Sequence, residues 1–378
     1  MAVTVSILDH FKDLRDPRIY TDNQRHELLD IVVIAMLAVL SGAEGWADIF
    51  TWADSRRTWL ATFLTLPNGI PSRHCIRRVI SRLDPDQFHG CFVAWMESLC
   101  EATKGEIIAI DGKTLRRSFD RRSGKAALHM VSAWAVKNHL LLGQEAVARK
   151  SNEITAIPKL LAILDLTGAV VTIDAMGCQK AIARQIREGG GDYLFGLKGN
   201  QEQIFEGVKE AFEEHMADDF ADVACRHHET RERAHGRNEE RHYYQMKVPV
   251  DLPGRDEWLD LKTIGLVLNV TETNGKRTEE VRYYLSSLPL GVKRFAEAVR
   301  GHWRIENSLH WTLDVTFDED QSRISKDDGA ENFGTLRRIA LSLLKRHRGD
   351  KRSVRQRRLR AGWNREYLLK ILAENTAS

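Results

Sequence analysis

The sequence predicts an α/β protein with a mostly helical first hundred residues and a strand-rich stretch set into the later alternation. Three observations predict this. Residues 1–100 carry long apolar runs, turn chemistry and a helix-start residue, with no strand-like alternation. From residue 106 onward, short β-branched runs end in polar turns and alternate with helical periodicity. Residues 222–288 then break that rhythm with successive strand-like stretches.

In chain order, Leu28–Leu40 is apolar, and Gly42 to Gly45 ends it. Its longest uninterrupted run, Ile31–Leu40, is too short to span a bilayer and predicts a buried helix. Asp48–Phe63 places Phe50, Trp52, Trp59, Leu60 and Phe63 on what reads as one buried face. PNGIPS (67–72) is turn chemistry, and Ser72 is the expected N-cap of a helix over Arg73–Leu83. EIIAIDGK, HMVSAWAV (129–136) and HLLLGQEAV (139–147) read as strands, and ITAIPKLLAILD (154–165) as a helix. AVVTIDAM (169–176) is a buried strand, Cys178–Glu188 a helix stopped by three glycines, DYLFGLKG (192–199) a strand and Gln201–His215 a helix. This order suggests a sheet that begins with a hairpin and continues with parallel strands. Three strand-like stretches fill 222–288, and Lys293 to about Val315 is a long helical pattern. Arg337–Arg360 is strongly basic, with Asp350 as its one acid.

The bulk numbers set the class. A chain of 378 residues has room for two or three domains. Hydrophobic residues at 43% and charged residues at 29% describe a globular protein and exclude a disordered one. The five cysteines are an odd number without a CxxC pair, which argues against a disulfide framework or a zinc finger and fits the cytoplasm. The N-terminal residues show no basic-then-apolar leader pattern, and no membrane association is expected. The net charge of +3 says little by itself, so the placement of the charges matters more.

Asp111 and Asp174 each follow an apolar strand, at the sheet edge where open α/β proteins bind ligands. Two carboxylates from neighbouring strands suit Mg2+, a hard cation that keeps positions open for phosphate oxygens and water. A pair of such ions, roughly 3.5–4 Å apart, activates an attacking hydroxyl and stabilises a leaving oxygen in phosphodiester cleavage. A strand-end Asp also commonly just caps a turn, and both readings stand at this point. His302, Glu306, His310 and Asp314 recur at four-residue steps, which would put them along one side of a helix beside Ile305, Leu309 and Leu313. That stripe reads either as ligands and phosphate contacts or as a solvated face.

Several long motifs carry a resemblance: IDGKTLRRS (110–118), KSNEITAIP (150–158), VVTIDAMGCQ (170–179), GGDYLFGLKGNQ (190–201), AHGRNEER (234–241) and RGHWRIENSLHWTLDVTFDED (300–320). With LPNGIPSRHCIRRVISRLDPDQF (66–88), they make nearly the whole chain resemble the ISAs1 group of insertion-sequence transposases, related to the H-repeat-associated proteins. The resemblance implies an RNase H-like core in which Asp111, Asp174 and Glu306 form an Asp–Asp–Glu metal triad. It further implies Mg2+ as cofactor, with Mn2+ able to substitute, and DNA as the partner: element ends and target, held by a homodimer or larger synaptic complex. Residues 222–288 become a β insertion between the second Asp and the Glu. The expected domains are a helical DNA-end-recognition domain at 1–100, a catalytic domain at 101–348 and a basic tail at 349–378. The Tyr–Arg–Glu–Lys signature of IS4-like relatives is not carried over, because Val299, His302 and Leu313 stand at its Tyr, Arg and Lys positions.

Basic residues supply candidate DNA contacts. Lys113, Arg116 and Arg117 follow Asp111, and Lys198 follows the strand after Asp174. His302, Arg304 and His310 flank Glu306, and Arg73, Arg77 and Arg78 cluster on the helix after PNGIPS, a pattern compatible with helix-turn-helix recognition. Arg337–Arg360 would add salt-dependent affinity without sequence preference. His235 and Arg237 read as part of a turn built on Gly236. Three functions remain in view: a transposase that cleaves element ends and joins them to target DNA, a nuclease or resolvase on the same core without strand transfer, and a non-catalytic DNA-binding descendant.

Overall fold

The structure is a computed structural model that describes residues 8–19, 24–99, 104–119, 126–147, 152–218, 220–221, 223–234, 237–273, 275–347 and 349–374. His235 and Gly236 lie outside the described residues. After a helical stretch at 8–11, the N-terminal helices are α1 (Leu28–Leu40), α2 (Trp46–Asp54), α3 (Arg57–Leu60), α4 (Arg73–Ile80) and α5 (Pro85–Leu99). Strands β1 (Ile107–Leu115), β2 (Leu128–Ala135) and β3 (Leu140–Ala146) come next, then α6 (Glu153–Ala162), β4 (Val170–Ile173), α7 (Lys180–Glu188), β5 (Asp192–Leu197) and α8 (Glu202–Ala217). Strands β6 (Cys225–Ala234), β7 (Arg237–Lys247), β8 (Thr263–Thr273) and β9 (Lys276–Ser286) precede α9 (Val292–Ile305). A π-turn at Glu306–His310 leads into α10 (Trp311–Phe317), followed by α11 (Gly329–Arg346), α12 (Val354–Trp363) and α13 (Arg365–Ala373).

The chain divides into two compact units that do not follow its halves. The first comprises Met1–Glu101, Gly112–Lys150 and Glu306–Ser378, and the second Ala102–Asp111 and Ser151–Ile305.

In the first unit α1 is the centre: every residue of it but Leu29 is buried, so it must be surrounded by other elements. The equally buried α11 packs on α1, α5 and β3. Asp30 is tolerated inside α1 because its carboxylate accepts from Thr65 N at 3.2 Å, Thr65 Oγ1 at 2.8 Å and Leu66 N at 2.8 Å. The Asn332 amide of α11 donates to the carbonyls of Ile80 (2.8 Å) and Leu83 (3.0 Å), which fixes α11 against the end of α4. Ser72 caps α4 as expected, accepting from Cys75 N at 3.2 Å. The aromatic stretch 48–63 is broken into α2 and α3, joined by an edge-on Trp52–Trp59 contact, instead of presenting one face. Strands here run in the order β3-β2-β1, with β2 and β3 antiparallel. The basic C-terminal segment is helical, and part of its charge is internal: Arg337, Arg338 and Arg358 are buried. Arg358 donates to the Val39 and Ala43 carbonyls and pairs with Glu44 at 3.1 Å.

In the second unit the order is β1-β4-β5-β9-β8-β7-β6. The β1–β4 and β4–β5 pairs are parallel, and every pair from β5–β9 onward is antiparallel. The strand-rich stretch therefore extends the same sheet, because Leu194 of β5 pairs with Ser286 of β9. It contains four strands instead of three, its first stretch doubling back into β6 and β7. Helix α9 lies close on this sheet because glycine permits it: a Cβ on Gly301 would stand 2.9 Å from Ile107 Cγ2, and one on Gly265 would stand 2.4 Å from the Phe295 ring. No helix among the described residues is long and apolar enough to cross a membrane.

Candidate functional site

Asp111 and Asp174 directly follow Ile110 and Ile173, which are paired in register on the parallel strands β1 and β4. The sheet thus sets the two acids side by side at the same level. Strand β1 continues to Leu115, so Asp111 lies within its strand and not at its end. Asp174 is at the strand end, and its Oδ1 accepts from Met176 N (3.1 Å) and Gly177 N (3.3 Å). It therefore does cap the turn, yet only with one oxygen; Oδ2 has no hydrogen-bond partner among the described residues. Gly177 makes the turn possible, since a Cβ there would sit 2.3 Å from Ile173 Cγ2.

The motif after β5 braces this turn. Asn200 Nδ2 donates to the Ala175 carbonyl at 2.7 Å, and Gln201 Nε2 to the Cys178 carbonyl at 3.0 Å. Sequence reasoning gave these two residues no role, although the length of the GLKGNQ motif was the available signal. Beside Asp174 opens a cavity of about 310 Å3 whose lining includes Lys198, Arg282, His302 and Trp303. The Arg282 guanidinium lies 4.0 Å from the centre of the Trp303 ring and makes two 2.8 Å bonds to Glu280. Arg282, Trp303 and Glu280 were not anticipated as a group, because β9 and α9 meet only through the fold. The His302 Nδ1 lies 3.2 Å from Thr172 Oγ1. Burial pushes its imidazole down to about 4 despite the nearby Asp174, so at neutral pH it brings no positive charge to the acids.

Glu306 is exposed and opens the π-turn, four residues beyond His302. The expected continuous polar stripe does not form, because the wider turn shifts the phase of the residues that follow. His310 is buried as a result, and burial together with Arg338 and Lys113 pulls it down to about 3. A buried neutral imidazole is not the surface phosphate contact expected of His310. Arg304 is exposed.

Lys113 also departs from expectation. Its ammonium is buried, pairs with Asp314, and lies 3.3 Å from Glu319 and 3.2 Å from Asp320, so it is a structural ion inside the first unit and not a phosphate contact. Glu319 is fully buried and also pairs with the buried Arg338 at 2.8 Å. Burial would raise its carboxyl, but Arg338, Lys113 and Arg337 hold it at about 2. Arg116 is exposed, with Nε 3.3 Å from Asp320, and Arg117, Arg73, Arg77 and Arg78 are exposed. Among the described residues, the one group of three ligand-bearing side chains close enough to share a metal ion is Glu229, Glu240 and His242 on the β6–β7 hairpin, and Arg231 pairs with both of its acids.

Two carboxylates thus follow neighbouring parallel strands, beside a cavity lined by Lys198, Arg282 and Trp303 together with Asp174 and Glu280. The transposase DDE domain family matches residues 102–343, and its associated N-terminal family, DDE_Tnp_1-associated, matches residues 8–96. The chain belongs to the DDE transposase family and is an enzyme of that class. It is 38% identical to the "H repeat-associated putative transposase YhhI" of Escherichia coli K12, with 97% of each chain covered. It is 40% identical to the "Putative transposase YncI" of Escherichia coli O157:H7, covering 97% of this chain and 94% of that one. A third relative, the "Putative protein YbfL" of Escherichia coli K12, is 39% identical over 92% of this chain and 93% of its own.

Proposed function

We propose that the chain cleaves the ends of an insertion sequence and joins them to target DNA, on an RNase H-like core whose metal-holding carboxylates are Asp111, Asp174 and Glu306. The observation that carries this reading is the register of β1 and β4, which sets Asp111 and Asp174 level on neighbouring strands beside a cavity that Lys198 lines. The donor set fits a divalent metal: hard carboxylate oxygens, with Asp174 Oδ2 left without a hydrogen-bond partner among the described residues by the turn it caps. Mg2+ bound there supplies activation of the attacking hydroxyl and stabilisation of the leaving oxygen at phosphorus. The protein holds the Asp174 carboxylate in one orientation through Met176 N and Gly177 N. His302 stays neutral and adds no charge that would compete with a cation. Lys198, on the rim of the same cavity, offers positive charge to the scissile strand, whereas Arg282 is engaged by Glu280. Hydrolysis of an element end and attack of the freed 3′ hydroxyl on target DNA are both in-line displacements, so one site serves both.

The test is a product assay with Mg2+ and linear DNA carrying any inverted repeats found to bracket this reading frame. Joined products are expected. Nicked or cleaved DNA without joined products would instead favour the nuclease reading, and metal-independent binding without cleavage the non-catalytic one.

A further inference from the structure

A second cavity, of about 450 Å3, lies wholly within the first unit, between α4 and the segment that links α10 to α11. Its charged lining comprises Arg77, Arg323, Lys326 and Arg337 against Glu44 and Asp318. Glu44 is already engaged by Arg358 at 3.1 Å. A neighbouring cavity of about 290 Å3 shares Arg77, Ser81 and Lys326 with the first and continues it along α4 past Arg78 and Arg82, with Asp327 as its one acid.

Arg337 makes this more than a basic surface. It is only 2% exposed, and its guanidinium stacks 4.5 Å from the centre of the Phe333 ring. Its Nε has no hydrogen-bond partner, and no carboxylate lies within ion-pair distance of it among the described residues. A guanidinium carries five donors and no acceptor, and it stays charged in proteins. Burial lowers Arg337 to about 10, with Glu319 and Glu44 opposing the shift, which leaves it a cation at neutral pH. Burying such a fork without an acceptor is costly, and its geometry matches the paired oxygens of a phosphate.

The walls are held in place. Asp328 N donates to the Ser81 carbonyl at 2.9 Å, Gly329 approaches so closely that a Cβ would stand 2.6 Å from Ser81 Oγ, and Asn332 ties α11 to the end of α4. The cavity is therefore preformed. We infer that it is a DNA-backbone site in which Arg337 takes a phosphodiester oxygen pair, with Arg77, Arg323 and Lys326 around it and the strand continuing along α4 past Arg78 and Arg82. A backbone suits the arrangement better than an isolated anion because the cationic lining runs on into the second cavity and exceeds the reach of one phosphate. This inference rests on the reading that the chain handles DNA, but not on the three carboxylates.

The test is duplex-DNA binding by the full chain in EDTA, so that catalysis plays no part, with salt varied. Arg337→Met should weaken binding about tenfold and make the log–log salt dependence shallower by about one phosphate contact. Its thermal midpoint should equal or exceed the parent's, because an unpaired buried charge has been removed. Unchanged affinity and salt slope in a folded Arg337→Met would overturn the inference. So would a small-anion site, seen as inorganic phosphate raising the midpoint of the parent but not of Arg337→Met while DNA binding is untouched. If Arg337→Met does not fold, the rim double variant Arg323→Gln/Lys326→Gln decides: a shallower slope supports the site, and parental binding contradicts it. Loss of binding here with joining chemistry intact elsewhere, or the converse, separates this inference from the catalytic proposal.

Discussion

Two positions beyond Asp111, Lys113 looks from the sequence like a phosphate contact, yet its ammonium is buried among Asp314, Glu319 and Asp320. Removing one member of a buried ionic group strands its partners in a low dielectric. Lys113→Met is therefore expected to cost about 3–5 kcal/mol in urea unfolding while leaving the salt slope of DNA binding unchanged. A shallower slope with full stability would restore the phosphate-contact reading. The buried His310 gives a second residue-scale expectation. Its folded form titrates near 3, whereas an unfolded histidine titrates near 6.5, so the unfolded chain binds the extra proton between those values. Stability is fully present above about pH 6.5 and falls as pH drops towards 3, by up to about 1.4 kcal/mol per pH unit. Glu319, held at about 2, acts in the same direction below the ordinary carboxylate range. Unfolding measured from pH 7 to 5 should show a slope that His310→Gln reduces, and an unreduced slope would contradict the account. Neither burial was legible in the sequence. The contact that buries Lys113 spans 201 positions, and the basic side chain itself is indistinguishable from a solvated one.

At the scale of elements, the turn after β4 shows how local chemistry and function share residues. Its Asp174 caps Met176 N and Gly177 N, as the bland reading of a strand-end Asp requires, and still keeps one oxygen available. Asn200 and Gln201 steady the same turn from the start of the next helical segment. Asn200→Ala should therefore reduce joining about tenfold with little loss of stability, on the order of 1 kcal/mol for one hydrogen bond. Parental joining rates in that variant would remove Asn200 from the account. The strands that carry Asp111 and Asp174 were legible as compact apolar runs, but the continuation of β1 through Asp111 to Leu115 was not, because its polar residues read as a turn. The π-turn at Glu306 was not, since the apolar periodicity reads continuously through it and only packing selects the wider hydrogen bonding. Likewise, a single polar stretch hid the β6–β7 hairpin, whose alternation is masked by Arg–Glu pairs across the strands.

At the scale of the whole molecule, the sequence families meet between residues 96 and 102, whereas the compact units interleave. The physical reason is α1, which is apolar on all sides and needs α11, supplied from the far end of the chain, as cover. A fragment of residues 1–100 should therefore lack a cooperative unfolding transition in calorimetry, and a sharp two-state transition would show that the helices are self-sufficient. The basic C-terminal segment makes the same point, since composition alone could not separate its buried arginines from its exposed ones. The proposal that Asp111, Asp174 and Glu306 hold the catalytic metal is tested most directly by strand joining in Mg2+ with Asp111→Asn, Asp174→Asn and Glu306→Gln. Each variant is expected to bind element-end DNA within about twofold of the parent and to join it at least about a thousandfold more slowly. A folded variant of any of the three that joins at the parental rate would contradict the assignment.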